Sequence, residues 1–121
     1  MHDPTGLKRI LRATINSFHG LRLAIRYETA FRQEVVLSVL LVTIALYWDV
    51  SLVETLLLIF TVFLLLITEL LNSAIEATVD RIGPEYHELS KRAKDIASAA
   101  VALALLLMLI TWVSIGFSIR I

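Results

Sequence analysis

Three apolar runs, residues 30–48, 52–68 and 97–117, dominate this chain of 121 residues and leave room for few architectures. A helix needs about 20 residues to cross a hydrocarbon layer roughly 30 Å thick. In lipid, backbone polar groups find no water, so a spanning run must satisfy them internally as a helix. With 58% hydrophobic residues and a mean hydropathy of +0.81, the chain is too apolar for a water-soluble domain of this size. The first run is the shortest. Its uninterrupted part, from Val35 to Trp48, is about 14 residues long, so it must borrow the turn carrying Ala30 and Phe31 and turn Arg32, Gln33 and Glu34 toward protein or the interface.

Only Asp49, Val50 and Ser51 separate the first two runs, and Ser51 followed three residues later by Glu54 fits a capping box. The second helix continues past its apolar part through Asp80 and Arg81, until Gly83 and Pro84 stop it. A polar loop, residues 85–90, leads to the third. The expectation is an all-α membrane protein with three transmembrane helices and an N-terminal surface helix, forming one domain over 1–121: surface helix 5–27, then helices 30–48, 52–81 and 91–118. The surface helix is amphipathic. Leu7, Ile10, Leu11, Ile15, Phe18, Leu21 and Ile25 share an arc of roughly 140°, with Lys8, Arg9, Arg12 and Arg26 outside it, as in helices that lie among lipid headgroups.

Charge fixes the expected orientation, although 11 basic and 11 acidic residues cancel overall. Lys8, Arg9, Arg12, Arg22, Arg26 and Arg32 precede the first span and Arg81, Lys91, Arg92 and Lys94 flank the second connection, whereas the Asp49 turn has no basic residue. Positive loops stay cytoplasmic. The N-terminus is therefore expected in the cytoplasm and the C-terminus, with Arg120, on the outer side, with Trp48 and Trp112 as outer interfacial belt residues. The polar, basic start does not read as a cleavable signal, so the whole chain is expected in the mature protein. There is no cysteine, which excludes disulfides and thiolate metal sites.

Polar residues then mark a site. Relative to Glu69, the side chains of Asn72, Ser73, Glu76 and Asp80 point to roughly −60°, +40°, −20° and +20°, one stripe on an otherwise apolar helix. Glu69 lies about 25 Å along the axis from Leu52, near the inner membrane boundary. Carboxylates there are costly and repel each other, so a cation belongs beside them. Glu28 and Arg32, at i,i+4 spacing, and Lys91, Lys94, Asp95 and Ser98 reach the same level from the other helices. Oxygen donors without cysteine suit Mg²⁺, which travels with phosphates, and Lys94, Arg9 and Arg92 can meet the remaining negative charge of a nucleotide. Taken singly, Glu28, Arg32 and Lys94 also fit ion pairs that fix helix register. Asp80 remains open between chemistry and a pair with Arg81 or Lys94. No Walker A loop, kinase glycine loop or nucleophile elbow is present, so conventional kinase folds are excluded. Two other classes compete on residues alone: a small oligomeric ion or proton channel lined by the stripe, and a purely structural membrane subunit.

The segment Glu69-Leu-Leu-Asn72-Ser73-Ala74-Ile75-Glu76-Ala77-Thr-Val79-Asp80-Arg81, with Glu85-Tyr86-His87-Glu88-Leu89-Ser90, Arg92-Ala93-Lys94-Asp95 and Glu28-Thr-Ala30-Phe31-Arg32-Gln33-Glu34, resembles the signature of the bacterial integral-membrane diacylglycerol kinases. Asn16 and Phe18 depart from the pattern, which has Tyr and Trp there. The resemblance implies a homotrimeric helical bundle of the inner membrane. It would transfer the γ-phosphate of Mg·ATP to diacylglycerol to give phosphatidate, with no nucleic-acid partner. It implies Glu69 as general base supported by Asn72, and Mg²⁺ held by Glu28 and Glu76. Arg9, Glu85, Tyr86, His87, Lys94 and Asp95 would meet nucleotide together with those two carboxylates. Arg9, Ala30, Arg32, Gln33, Glu34, Glu69 and Ser98 would line the lipid side. A related family that phosphorylates undecaprenol keeps similar carboxylates and stands as the alternative acceptor.

Overall fold

The computed structural model describes residues 5–118; Arg120 and residues 1–4 lie outside the described residues. Four helices follow in order: α1 (Gly6–Tyr27), α2 (Thr29–Tyr47), α3 (Leu52–Ile82) and α4 (Glu88–Ser118). The last three are long and apolar enough to cross a membrane, and α1 is not. The architecture is all-α and multi-pass. α3 is its axis, packing against both α2 and α4.

Local chemistry sets the ends. Ser51 Oγ accepts the Glu54 N–H at 3.2 Å and Glu54 Oε1 accepts the Ser51 N–H at 3.1 Å, which closes the capping box at the start of α3. Gly83, extended and followed by Pro84, ends it, because the residue before proline is driven out of the helical region. α4 begins at Glu88, inside the stretch expected as loop. His87 explains this: its Nδ1 accepts the Leu89 N–H at 3.1 Å and its carbonyl accepts the Lys91 N–H at 3.0 Å, so it caps the helix.

Two buried clusters hold the bundle. Val62 and Leu65 of α3 meet Ala104 and Met108 of α4, with Leu41 and Val42 of α2 against them. Nearer the α2–α3 turn, Ala45, Leu58 and Ile115 form the second, under Trp48 and Ile59. Small residues at these crossings let backbones approach, the usual basis of helix association in lipid. The outward faces stay apolar: Phe60, Phe63 and Ile67 are each more than half exposed and need lipid or another apolar surface around them. On α1 only Ala24 is buried, while Leu7 is 72% and Phe18 69% exposed, leaving an unpartnered apolar stripe suited to the headgroup layer.

Trp112 corrects the belt reading. Its Nε1–H donates to Thr61 Oγ1 at 3.2 Å, and Thr61 lies nine residues into α3, about 14 Å below the helix start. Trp112 is therefore an interhelical contact within the bundle. Trp48 tilts against it at a centroid distance of 6.1 Å and packs beside Gly116.

Candidate active site

The stripe on α3 separates into a buried and an exposed half. Glu69 and Ser73 are buried, at 6% and 8% exposure, while Glu76 and Asp80 extend beyond the bundle into the open. Asn72 is half-buried and its Nδ2 donates to Glu76 Oε1 at 3.2 Å, an i,i+4 contact that aims the Glu76 carboxylate.

Around Glu69 stand the carboxylates of Glu76, Glu34 and Glu28, close enough for their charges to interact. Three helix segments are involved: Glu28 occupies the joint between α1 and α2, Glu34 the second turn of α2, and Glu76 the polar extension of α3 beyond its apolar part. Among the described residues none of the four carboxylates forms a salt bridge. Glu34 and Glu69 stand within hydrogen-bonding reach of each other, as two carboxyl groups sharing one proton, which relieves part of this crowding of like charge. The family resemblance sets Glu34 and Glu69 on the same lipid side, and their direct contact is the structure's addition. The signal was there: Phe31, Glu34, Ser38, Leu41 and Ala45 recur at helical spacing, and Phe31, Ser38 and Ala45 are buried.

Beside these carboxylates a cleft of about 770 Å³ opens between α1 and α3, lined by Ser17, Gly20 and Tyr27 on one side and Leu70, Ser73 and Ala77 on the other, with Glu28 at its edge. Its walls are mostly apolar. A second cleft of about 380 Å³ lies at the α3–α4 connection, where Glu85, Tyr86 and His87 face Lys94 and Asp95. There Lys94 Nζ contacts Asp80 Oδ1 at 2.6 Å, and Lys91 Nζ contacts Asp95 Oδ2 at 2.7 Å. Asp80 thus finds its partner in Lys94, across the connection, rather than in Arg81.

The chain's similarity to known proteins agrees with this layout. The family model described as prokaryotic diacylglycerol kinase matches residues 15–116. The chain belongs to the prokaryotic diacylglycerol kinase family. It is 54% identical over 111 residues to the diacylglycerol kinase of Escherichia coli strain K12, covering 92% of this chain and 91% of that protein. The diacylglycerol kinase of Pseudomonas aeruginosa strain PAO1 is 55% identical over 111 residues, 92% of this chain and 90% of its own. That of Haemophilus influenzae strain Rd is 44% identical over 117 residues, covering 97% and 99%. Membership of this kinase family makes the chain an enzyme, an ATP-dependent kinase.

Of the positions that the family resemblance singles out, the structure gathers two clusters and leaves the rest apart. Glu28, Glu34, Glu69, Asn72 and Glu76 gather at one end of the bundle. Glu85, Tyr86, His87, Lys94 and Asp95 share the connection cleft, and Lys94 also senses the charge of Glu76. Arg9 stands apart, because 18 residues of α1 separate it from Tyr27, about 27 Å along the axis. Ala30, Gln33 and Ser98 are exposed on the outer faces of α2 and α4. Arg32 makes no ion pair with Glu28; its guanidinium is bonded instead to the carbonyl end of α1.

Proposed function

We propose that this chain phosphorylates diacylglycerol at the membrane surface. The γ-phosphate of ATP passes to the primary hydroxyl of 1,2-diacylglycerol, a new P–O bond forming as the bond to ADP breaks, and phosphatidate results. The observation that carries the reading is Glu69. It is a carboxylate 6% exposed at the lipid end of the stripe, ringed by three others and free of any salt bridge. From there its oxygen takes the proton of the attacking hydroxyl, the contribution of a positioned general base. Asn72, bonded to Glu76, keeps the carboxylates apart and oriented.

The donor set fits Mg²⁺. Among the described residues no three His, Asp or Glu side chains close around a metal. Mg²⁺ in phosphoryl-transfer sites needs only one or two carboxylates, since phosphates and water complete its octahedron. Glu28 and Glu76 would hold it, and when bound it neutralises phosphate oxygens. Lys94, Asp95 and the 85–87 segment would grip the nucleotide, with Arg9 reaching its phosphates and the lipid headgroup from a neighbouring protomer. Ala30, Gln33, Glu34 and Ser98 would border the lipid. Because Arg9 is far from its own Glu28, the site is read as shared in a homotrimer. It sits on the cytoplasmic side of the inner membrane, with the N-terminus inside and the C-terminus outside.

The deciding experiment incubates the purified protein in mixed micelles with labelled ATP and diacylglycerol, undecaprenol, ceramide or no lipid. Label is expected in phosphatidate. Label only in undecaprenyl phosphate would reassign the acceptor, and conductance in liposomes without any labelled lipid would overturn the kinase reading of the site.

A further inference from the structure

A single residue joins α1 to α2. Glu28 is extended at φ −111° and ψ 103°; its N–H donates to the Ala24 carbonyl at 2.9 Å as the last bond of α1, and its carbonyl accepts the Arg32 N–H at 3.1 Å as the first of α2. Both helices use its backbone. Its carboxylate caps neither of them and stands at the edge of the cleft between α1 and α3. Where that carboxylate points therefore depends on the angle between α1 and α2, and one extended residue between two long helices does little to hold an angle.

Arg32 supplies the hold. Its Nη1 donates to the carbonyls of Ile25 at 2.8 Å and Arg26 at 2.9 Å, and its Nη2 donates to Thr29 Oγ1 at 3.1 Å. The two carbonyls belong to the last turn of α1, where the helix itself has no N–H left to offer and where the helix dipole is negative. A planar guanidinium meets both helices at once, which a lysine ammonium does not reproduce. The clamp and Glu28 occupy the same joint, yet the two side chains do not pair with each other.

We infer that Arg32 is a positioning residue for Glu28: by fastening the carbonyl end of α1 to the start of α2 it fixes the joint from which the Glu28 carboxylate reaches the metal. The inference rests on Glu28 as a metal carboxylate, and it replaces the direct lipid contact that the family resemblance implies for Arg32.

The test uses the full chain in detergent micelles, a Mn²⁺ titration with a non-hydrolysable ATP analogue followed by electron paramagnetic resonance, and kinetics alongside. Arg32→Ala is expected to weaken Mn²⁺ uptake about fivefold or more, the worth of losing hydrogen bonds made by a charged group, with the KM for diacylglycerol within about twofold. Thr29→Val, which removes one acceptor only, is expected to weaken it about twofold, and Arg32→Lys to fall between. Glu28→Gln calibrates the scale. If Glu28→Gln weakens Mn²⁺ uptake and Arg32→Ala does not, but raises the KM for diacylglycerol instead, Arg32 is a lipid contact and the inference fails alone. If Glu28→Gln leaves Mn²⁺ uptake unchanged, the metal assignment fails and the inference with it. Should Arg32→Ala not fold, unchanged uptake in both Thr29→Val and Arg32→Lys overturns it.

Discussion

Replacing Glu69 by glutamine separates catalysis from packing, because the first is expected to fall while the second is kept. The substitution keeps the volume of a side chain that is only 6% exposed, so no cavity opens. It removes one charge from a group in which Glu76, Glu34 and Glu28 all act on Glu69. Its amide N–H can donate to Glu34 in place of the proton that the two carboxyl groups share, so that contact is kept. The folded state is thus expected to lose nothing. Phosphoryl transfer loses its base, worth about 10²-fold or more, which is about 2.7 kcal/mol on the barrier. The assay pairs turnover in diacylglycerol micelles with thermal unfolding in detergent. A variant as stable as the parent and at least a hundredfold slower supports the argument. Near-normal turnover would refute Glu69 as base, and loss of activity in step with loss of stability would reassign it to packing.

Glu28→Gln and Glu76→Gln are each expected to raise the Mg²⁺ concentration for half-maximal activity, and an unchanged metal dependence excludes them as ligands. Asp80→Asn frees the Lys94 ammonium and is expected to lower the KM for Mg·ATP, whereas Lys94→Ala raises it about threefold or more; identical KM in both variants means that Lys94 touches no phosphate. Trp112→Phe removes the indole donor to Thr61 and is expected to cost about 0.5–1 kcal/mol in detergent unfolding with turnover unchanged, a null result showing that the contact carries no stability. If the site is shared between protomers as proposed, mixing Arg9→Ala chains with Glu28→Gln chains is expected to restore activity that neither has; no recovery would confine each site to one chain.

The parts of this molecule that were legible in its sequence are those fixed by short range and by period. Ser51 and Glu54 announce the α3 cap because both partners lie within one turn, and the stripe from Glu69 to Asp80 is visible because a continuous helix keeps its phase over three turns. Legibility stops where a phase is broken or a partner comes from another helix. Helices read as 5–27 and 30–48 already bracket Glu28, but its spacing of i,i+4 from Arg32 suggests an ion pair, and no local pattern shows that Arg32 turns back to α1 instead. Glu34 reads as one of several polar residues at an interface until α3 puts Glu69 beside it. Trp112 reads as a belt residue from its place near the end of the last apolar run, and only its bond to the Thr61 hydroxyl on α3 reveals it as an internal contact. The site follows the same division: Glu69 and Glu76 could be named from one strip of sequence, but their meeting with Glu28 and Glu34 depends on a joint and two packed helices that no local pattern encodes. For a thin bundle whose outer faces contact lipid, it follows that chemistry concentrates where helices end, since only there do polar side chains meet without crossing the hydrocarbon.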